Sequence, residues 1–347
     1  MTPDPHADIV MPLPRLFLLA AFCLWATSAQ AAGFSSIEIP ADQDGPALHG
    51  AVWTPCATAD SDIELGLYVV RGVRNCPITS AQRPLVVLSH GYGGSFLGHH
   101  DTAEALANAG FVVAAINHSS DNYRLRGGPN DSITALATRT TDIRRLIDYM
   151  LQQWPSRDHL AAGQVGFFGF SRGGYTGLVL VGAHPHFERL PPLPSSPCTT
   201  APDGPACAGM RQQFQELLAS PLARDTRIKA AVIVDPFNVV FDVDGLKNVT
   251  VPIQLWASEY GGDGVTPDSV AAVRRNLPAP PDWHTAQNAA HFGFLAPCSP
   301  AQLVANSEVC RDGHGFDRVA FHADFDAKVL AFFQLHLGKT SAVASGP

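Results

Sequence analysis

Residues Gly169-Phe170-Ser171-Arg172-Gly173 spell Gly-x-Ser-x-Gly, and the residues on either side restrict what the chain can become. Gln164 to Phe170 reads as a short apolar strand, and Gly173 to Leu180 reads as the start of a helix rich in small residues. A strand that turns sharply into a helix pushes the serine hydroxyl outward, and the flanking glycines let the two elements approach closely. Ser171 is therefore the candidate nucleophile, and the chain around it is expected to be α/β.

The rest of the sequence repeats that alternation. Pro84 to His90, Phe111 to Ile116, Ile228 to Val234 and Val251 to Ala257 are apolar throughout, with helical stretches between them, Thr102 to Ala109 among these. Strands without a polar face imply a mostly parallel central sheet covered by helices on both faces. Ile143, Leu146, Ile147, Met150, Leu151 and Trp154 recur at spacings of three and four, which puts the arginines and aspartates of that helix on the opposite face. Ser35 to Pro40 and Leu48 to Trp53 read as two edge strands, followed by a looser segment through Cys76. Residues 184–226 hold eight of the 28 prolines and break the pattern. They read as a Pro/Cys-rich insertion over the active-site edge of the sheet, with one helix near Arg211 to Leu218. A last helix from about Phe316 to Leu337 turns Phe325, Val329, Phe332 and Phe333 inward. The expectation is one domain over residues 32–340, with residues 341–347 a frayed tail.

Arg15 followed by the apolar run Leu16 to Trp25 and by Ala29-Gln30-Ala31 has the form of a signal peptide over residues 1–31. Asp4 and Asp8 do not suit its basic start, so Met11 is an alternative initiator. The run is too short to span a membrane comfortably, and no cysteine follows it to carry a lipid anchor. Periplasmic or extracellular localisation follows. Export makes disulfides expected: six cysteines remain beyond Cys23, and they fall into three local couples, Cys56–Cys76, Cys198–Cys207 and Cys298–Cys310. No Cys-x-x-Cys pair exists, and His99-His100 and His184-x-His186 lack further ligands, so these read as surface or supporting groups and no metal or cofactor is expected. The formal charge of −8 and the lack of a basic run argue against a nucleic-acid partner. Oligomeric state leaves no mark in the sequence.

A serine hydroxyl needs a histidine base, itself oriented by a carboxylate. His291 ends the segment Asp282 to Phe294, in a loop before an aromatic pair, and is the candidate base; His284 lies inside the strand, and His314 and His322 come later. Asp263, just beyond the strand Val251 to Ala257, is the preferred acid, Asp235 at the end of the preceding strand is the alternative, and Glu259 comes third. An oxyanion hole needs two backbone N–H groups, for which Arg172, following the nucleophile, and Tyr92, in the loop His90 to Ser95, are the candidates. That loop is not a phosphate loop, because no Gly-Lys-Ser/Thr follows it.

His90-Gly91-Tyr92, Gly169 to Gly174 and Ala289-Ala290-His291-Phe292 together resemble secreted bacterial α/β-hydrolases of the dienelactone-hydrolase superfamily, over about residues 35–337. The nearer resemblance is to platelet-activating-factor acetylhydrolase-like enzymes, with cutinase-type polyester hydrolases more distant. It implies Ser171 as nucleophile, His291 as base, Tyr92 and Arg172 as oxyanion donors, and a small-molecule or lipid-like ester as substrate. Asp263 to Pro267 is similar to the acid loop of the cutinase type, whereas Asp235-Pro236-Phe237 and Ser258-Glu259-Tyr260 look like acetylhydrolase segments. Ser171 departs from the cysteine nucleophile of dienelactone hydrolases proper. The expectation is an exported serine esterase acting through an acyl-enzyme. An amidase or peptidase with the same groups, and a non-catalytic binding protein on the same scaffold, are the alternatives.

Overall fold

The computed structural model describes residues 31–78, 81–125, 133–190, 197–219, 222–305 and 308–338. The expected signal peptide, except Ala31, and the tail 341–347 lie outside them. Ten strands form one sheet: β1 (Ala31–Ile39), β2 (Leu48–Cys56), β3 (Ser61–Leu65), β4 (Tyr68–Arg74), β5 (Arg83–Ser89), β6 (Val112–Ile116), β7 (Leu160–Phe170), β8 (Ile228–Val234), β9 (Ile253–Ser258) and β10 (Asp282–Ala286). The helices are α1 (His100–Asn108), α2 (Ile133–Gln152), α3 (Arg172–Leu180), α4 (Pro197–Thr200), α5 (Pro205–Ala219), α6 (Val243–Leu246), α7 (Pro267–Asn276), α8 (Pro300–Val304) and α9 (Arg318–Leu337).

The strand order is β10-β9-β8-β7-β5-β6-β2-β1-β4-β3, and the six strands from β10 to β6 are mutually parallel. Both faces of β5 to β9 are largely buried, which explains their apolar runs, whereas β10 at the edge is mostly exposed or half-buried. Leu85 and Val87 of β5 face a core shared with α2, α3 and α7, and Val86 and Leu88 face the other core, shared with α1 and α9. The open ends of β5, β7 and β8 therefore converge on one edge, where Ser89, Phe170 and Val234 terminate their strands.

Two expectations need correction. β1 and β2 are interior strands, because the segment before Cys76 is not loose. It forms the hairpin β3–β4, with Ile63 and Val70 buried and Asp62 and Arg71 exposed. That hairpin extends the sheet beside β1 and becomes its edge. In α2, Arg139, Asp142 and Arg145 are buried rather than turned to solvent, because each has a partner beneath the helix. The helix of the Pro/Cys-rich insertion, α5, packs against α4 and α2.

The three expected cysteine couples are all joined, Cys56–Cys76, Cys198–Cys207 and Cys298–Cys310. The first ties the end of β2 to the end of the hairpin, and the third closes the segment before α9. No helix among the described residues is long and apolar enough to cross a membrane. Replacing Cys56 and Cys76 together by serine should lower unfolding stability by about 3 kcal/mol, the usual size for a loop of this length. Urea denaturation checks this, and an unchanged midpoint would make the couple incidental.

Candidate active site

Ser171 sits between β7 and α3 at φ 55° and ψ −118°, a conformation that costs a non-glycine residue about 1–3 kcal/mol. Two glycines make the turn possible. A Cβ on Gly173 would lie 1.9 Å from Ser89 O, and one on Gly169 would lie 2.2 Å from Gly173 O. Any side chain at either place would force strand and helix apart. The strained backbone is held by β8: Ser171 N donates to Val234 O (2.9 Å), and Phe237 N donates to Ser171 O (3.0 Å). Those two bonds bracket Asp235.

Asp235, fully buried, stands at φ 42° just past β8. Its carboxylate receives three hydrogen bonds: Oδ1 from Ser258 N (3.0 Å), and Oδ2 from Ser258 Oγ and from His291 Nδ1 (2.7 Å each). The carboxylate accepts, so Nδ1 donates, and the lone pair of the ring lies on Nε2. His291 Nε2 is buried and makes no hydrogen bond among the described residues. Its ring lies against that of Phe170, centroids 4.6 Å apart, immediately before Ser171.

The preference for Asp263 as the partner of His291 is thus corrected to Asp235. Asp263 is exposed, at φ 50° in the tight turn where Gly262 and Val265 bond each other's backbones. That turn serves His291 differently, through the bond from His291 N to Gly261 O (2.8 Å). Glu259 is also exposed and accepts from Asn288 N (2.6 Å), bracing the approach to His291. Ser258, which sequence reasoning missed, links both parts, since its Oγ also accepts from Gly261 N (3.1 Å). His291 opens a 3₁₀ turn, His291–Phe294, that ends in the fully buried Phe294, among Phe170, Trp256, Phe321 and Phe325. Burying such a ring contributes about 1.5–3 kcal/mol and anchors the turn. His284 stacks on Trp256 at 4.4 Å, and His314 is exposed.

Tyr92 and Arg172 are neighbours. The Arg172 guanidinium lies over the Tyr92 ring at 4.2 Å, and Arg172 is the first residue of α3, where a backbone N–H has no acceptor within its own helix. Behind them is a polar network that sequence reasoning did not find. Asp121 accepts from Gly93 N (2.8 Å), Arg139 Nη1 (2.7 Å) and Arg172 Nη1 (3.3 Å). Arg139 also donates to Ser89 Oγ (3.2 Å), Thr176 Oγ1 (3.0 Å) and His90 O. Burial opposes ionisation of Asp121, yet Arg139 and then Arg172 hold its carboxyl below the ordinary range. Burial pushes His90 and His118 down, helped for His90 by His118 and for both by the Arg139 charge. The sequence signal was weak: His118 and Asp121 follow β6, as loop residues of an α/β sheet often do, but nothing local pairs them with Arg139.

A second serine, histidine and aspartate also meet here. His118 Nε2 is 2.8 Å from Ser89 Oγ and Nδ1 is 3.2 Å from Asp142 Oδ2. Ser89 and His118 are fully buried, so no substrate can reach this hydroxyl, and Arg139 already donates to it. Of the histidines set aside as surface or supporting groups, His99 and His100 are buried. His99 packs edge-on against Phe168 and Phe170, and burial pushes it down to about 3. His184 is exposed and His186 half-buried.

The whole arrangement lies in a fold with solved counterparts. The chain is similar to a ferulic acid esterase from Streptomyces cinnamoneus, with 19% sequence identity and a TM-score of 0.60, over 93% of this chain and 94% of the esterase. At that identity the likeness is one of fold. No protein family model matches the chain. No curated protein sequence matches it either.

Arg139→Met should destabilise the protein by about 3–5 kcal/mol, because it strands the buried Asp121 carboxylate. Arg144→Met, on the same helix as Arg139, removes a half-exposed ion pair to Asp44 of the β1–β2 turn and should cost less than about 1 kcal/mol. Chemical denaturation of the two variants measures the contrast, and equal losses would contradict the burial argument.

Proposed function

We propose that this protein is an exported serine esterase of the α/β-hydrolase type that cleaves carboxylic esters through an acyl-enzyme. The observation that carries the reading is the buried Asp235–His291 bond, which leaves Nε2 bare on a ring packed beside the strained Ser171 turn. In this reading His291 Nε2 takes the Ser171 proton as Oγ attacks the ester carbonyl. Asp235 holds the ring in the required tautomer and offsets the imidazolium charge. The backbone N–H groups of Tyr92 and Arg172 bind the oxyanion. Collapse expels the alcohol, which receives its proton from His291. Water, deprotonated by the same nitrogen, then attacks the acyl group and frees the acid and Ser171.

Likeness to a ferulic acid esterase supports ester hydrolysis rather than another reaction of this fold. Tyr92, Phe237 and Phe292, each partly exposed and next to or bonded to a residue of the site, suit an apolar or aromatic small-molecule or lipid-like ester. The acid at the end of β8 favours the acetylhydrolase-like resemblance over the cutinase type. Three disulfides, with the leader pattern of residues 1–31, support export to the periplasm or beyond, and residues 32–340 are read as one domain.

Hydrolysis of short- and long-chain p-nitrophenyl esters, beside their anilide analogues, tests this directly. Ester turnover should exceed anilide turnover and vanish in Ser171→Ala. Anilide preference would make the protein an amidase, and turnover that survives in Ser171→Ala would remove the serine from the mechanism. Asp235→Asn should lower kcat by about 10⁴, because the amide favours the wrong imidazole tautomer, while Asp263→Asn should stay within about twofold. The reverse order would return the acid to the 261–265 turn.

A further inference from the structure

A second histidine and carboxylate meet beside the His291 turn, and the proposed reaction does not use them. His322 of α9, with its side chain 3% exposed, brings Nδ1 to 2.6 Å from Asp101 Oδ2 of α1. Its other nitrogen, Nε2, is 3.0 Å from Gly293 O, within the 3₁₀ turn that His291 opens. Both partners are acceptors. A neutral ring carries one N–H and would set its lone pair against either the carboxylate or the carbonyl, whereas the imidazolium donates to both. In a buried place the unmet acceptor would cost about 1–3 kcal/mol.

The neighbouring groups fit a positive ring. Burial opposes the charge on His322, yet Asp101 raises it above the ordinary histidine value. Burial likewise opposes the charge on Asp101, yet His322 holds it below the ordinary carboxylate range. Asp326, one turn along α9, is pushed up to about 8 by burial and by the Asp101 charge, and its Oδ1 accepts from Thr102 (2.7 Å). His100 pairs with Glu104 (2.8 Å), and burial holds His99 down at about 3. The pair of His322 and Asp101 is therefore intact at neutral pH and fails as pH rises through the raised His322 value.

The geometry points to His322 as a positioning residue: anchored by Asp101, it holds Gly293 O and so fixes the turn that presents His291 to Asp235. A second bond ties the same segment to the start of α1, from Ala296 N to Gly98 O (3.0 Å). The loop that leads into α1 begins at the proposed oxyanion segment His90 to Ser95, so the pair joins the two halves of the site. This role rests on the proposed part of His291 as base.

Two amides separate the two bonds of His322. His322→Gln carries its amide nitrogen as far out as Nε2 and can still donate to Gly293 O, whereas His322→Asn ends at the level of Nδ1 and meets only Asp101. Both remove the charge beside Asp101, so urea denaturation should show similar losses of stability. Toward p-nitrophenyl esters, His322→Gln should keep kcat within about threefold of the parent. His322→Asn should lower kcat about 10-fold or more, with KM little changed. Nitrogen-15 NMR of histidine-labelled protein reads the same effect without turnover. The His291 Nδ1 proton shared with Asp235 should persist in His322→Gln and shift or broaden in His322→Asn. In the parent at neutral pH both ring nitrogens of His322 should carry protons, a readout that needs no variant. Equal kcat in the two variants, an undisturbed His291 resonance in His322→Asn, or a neutral His322 ring would overturn the role. A parent without ester turnover would contradict the proposed function instead, and the His291 resonance would still decide whether His322 positions that ring.

Discussion

The site depends on keeping one carboxylate dry and fully hydrogen-bonded. Taking Asp235 out of water costs several kcal/mol, which is recovered only if its oxygens are met by donors in good geometry. Ser258 supplies two donors from the neighbouring strand end, and His291 supplies the third from 56 residues further along the chain. Because the carboxylate is already fixed by Ser258, the imidazole must come to it, in one orientation and one tautomer. Phe294 and the backbone bond to Gly261 O then hold the His291 turn in place.

Ser171 is governed by the same strand end. The backbone bonds from Ser171 N to Val234 O and from Phe237 N to Ser171 O lie on either side of Asp235, so the proposed acid and the proposed nucleophile share a frame instead of meeting through loops. On the far side, Arg139 and Asp121 bind the His90–Gly93 segment and the Arg172 side chain together. Both proposed oxyanion donors are thereby referred to one buried ion pair. A buried pair of this kind contributes little net stability beside an apolar replacement, but loss of either member leaves the other charge stranded.

Much of this was legible locally. The Gly169 to Gly173 turn, the parallel strands and the three cysteine couples each rest on residues close in sequence, where spacing and chain entropy decide. Which aspartate meets His291 was not legible. Asp235 and Asp263 both follow a strand and both adopt positive φ, and only the register of β8 beside β7 puts the first against Ser171. Periodicity likewise misplaced Arg139 and Asp142, since it sorts residues by polarity and cannot see that a buried partner waits beneath the helix. The β3–β4 hairpin did carry a signal in the alternation about Ile63 and Val70, with Gly66 at φ 66° in its turn, but its charged outer face masked it.

The most direct measurement is a crystal structure of the protein after reaction with an alkyl fluorophosphonate. The account predicts phosphorus bonded to Ser171 Oγ, one phosphoryl oxygen within about 2.7–3.1 Å of the backbone nitrogens of Tyr92 and Arg172, and His291 still bonded to Asp235. An adduct on another residue, or Ser171 modified with its phosphoryl oxygen turned away from both nitrogens, would contradict it.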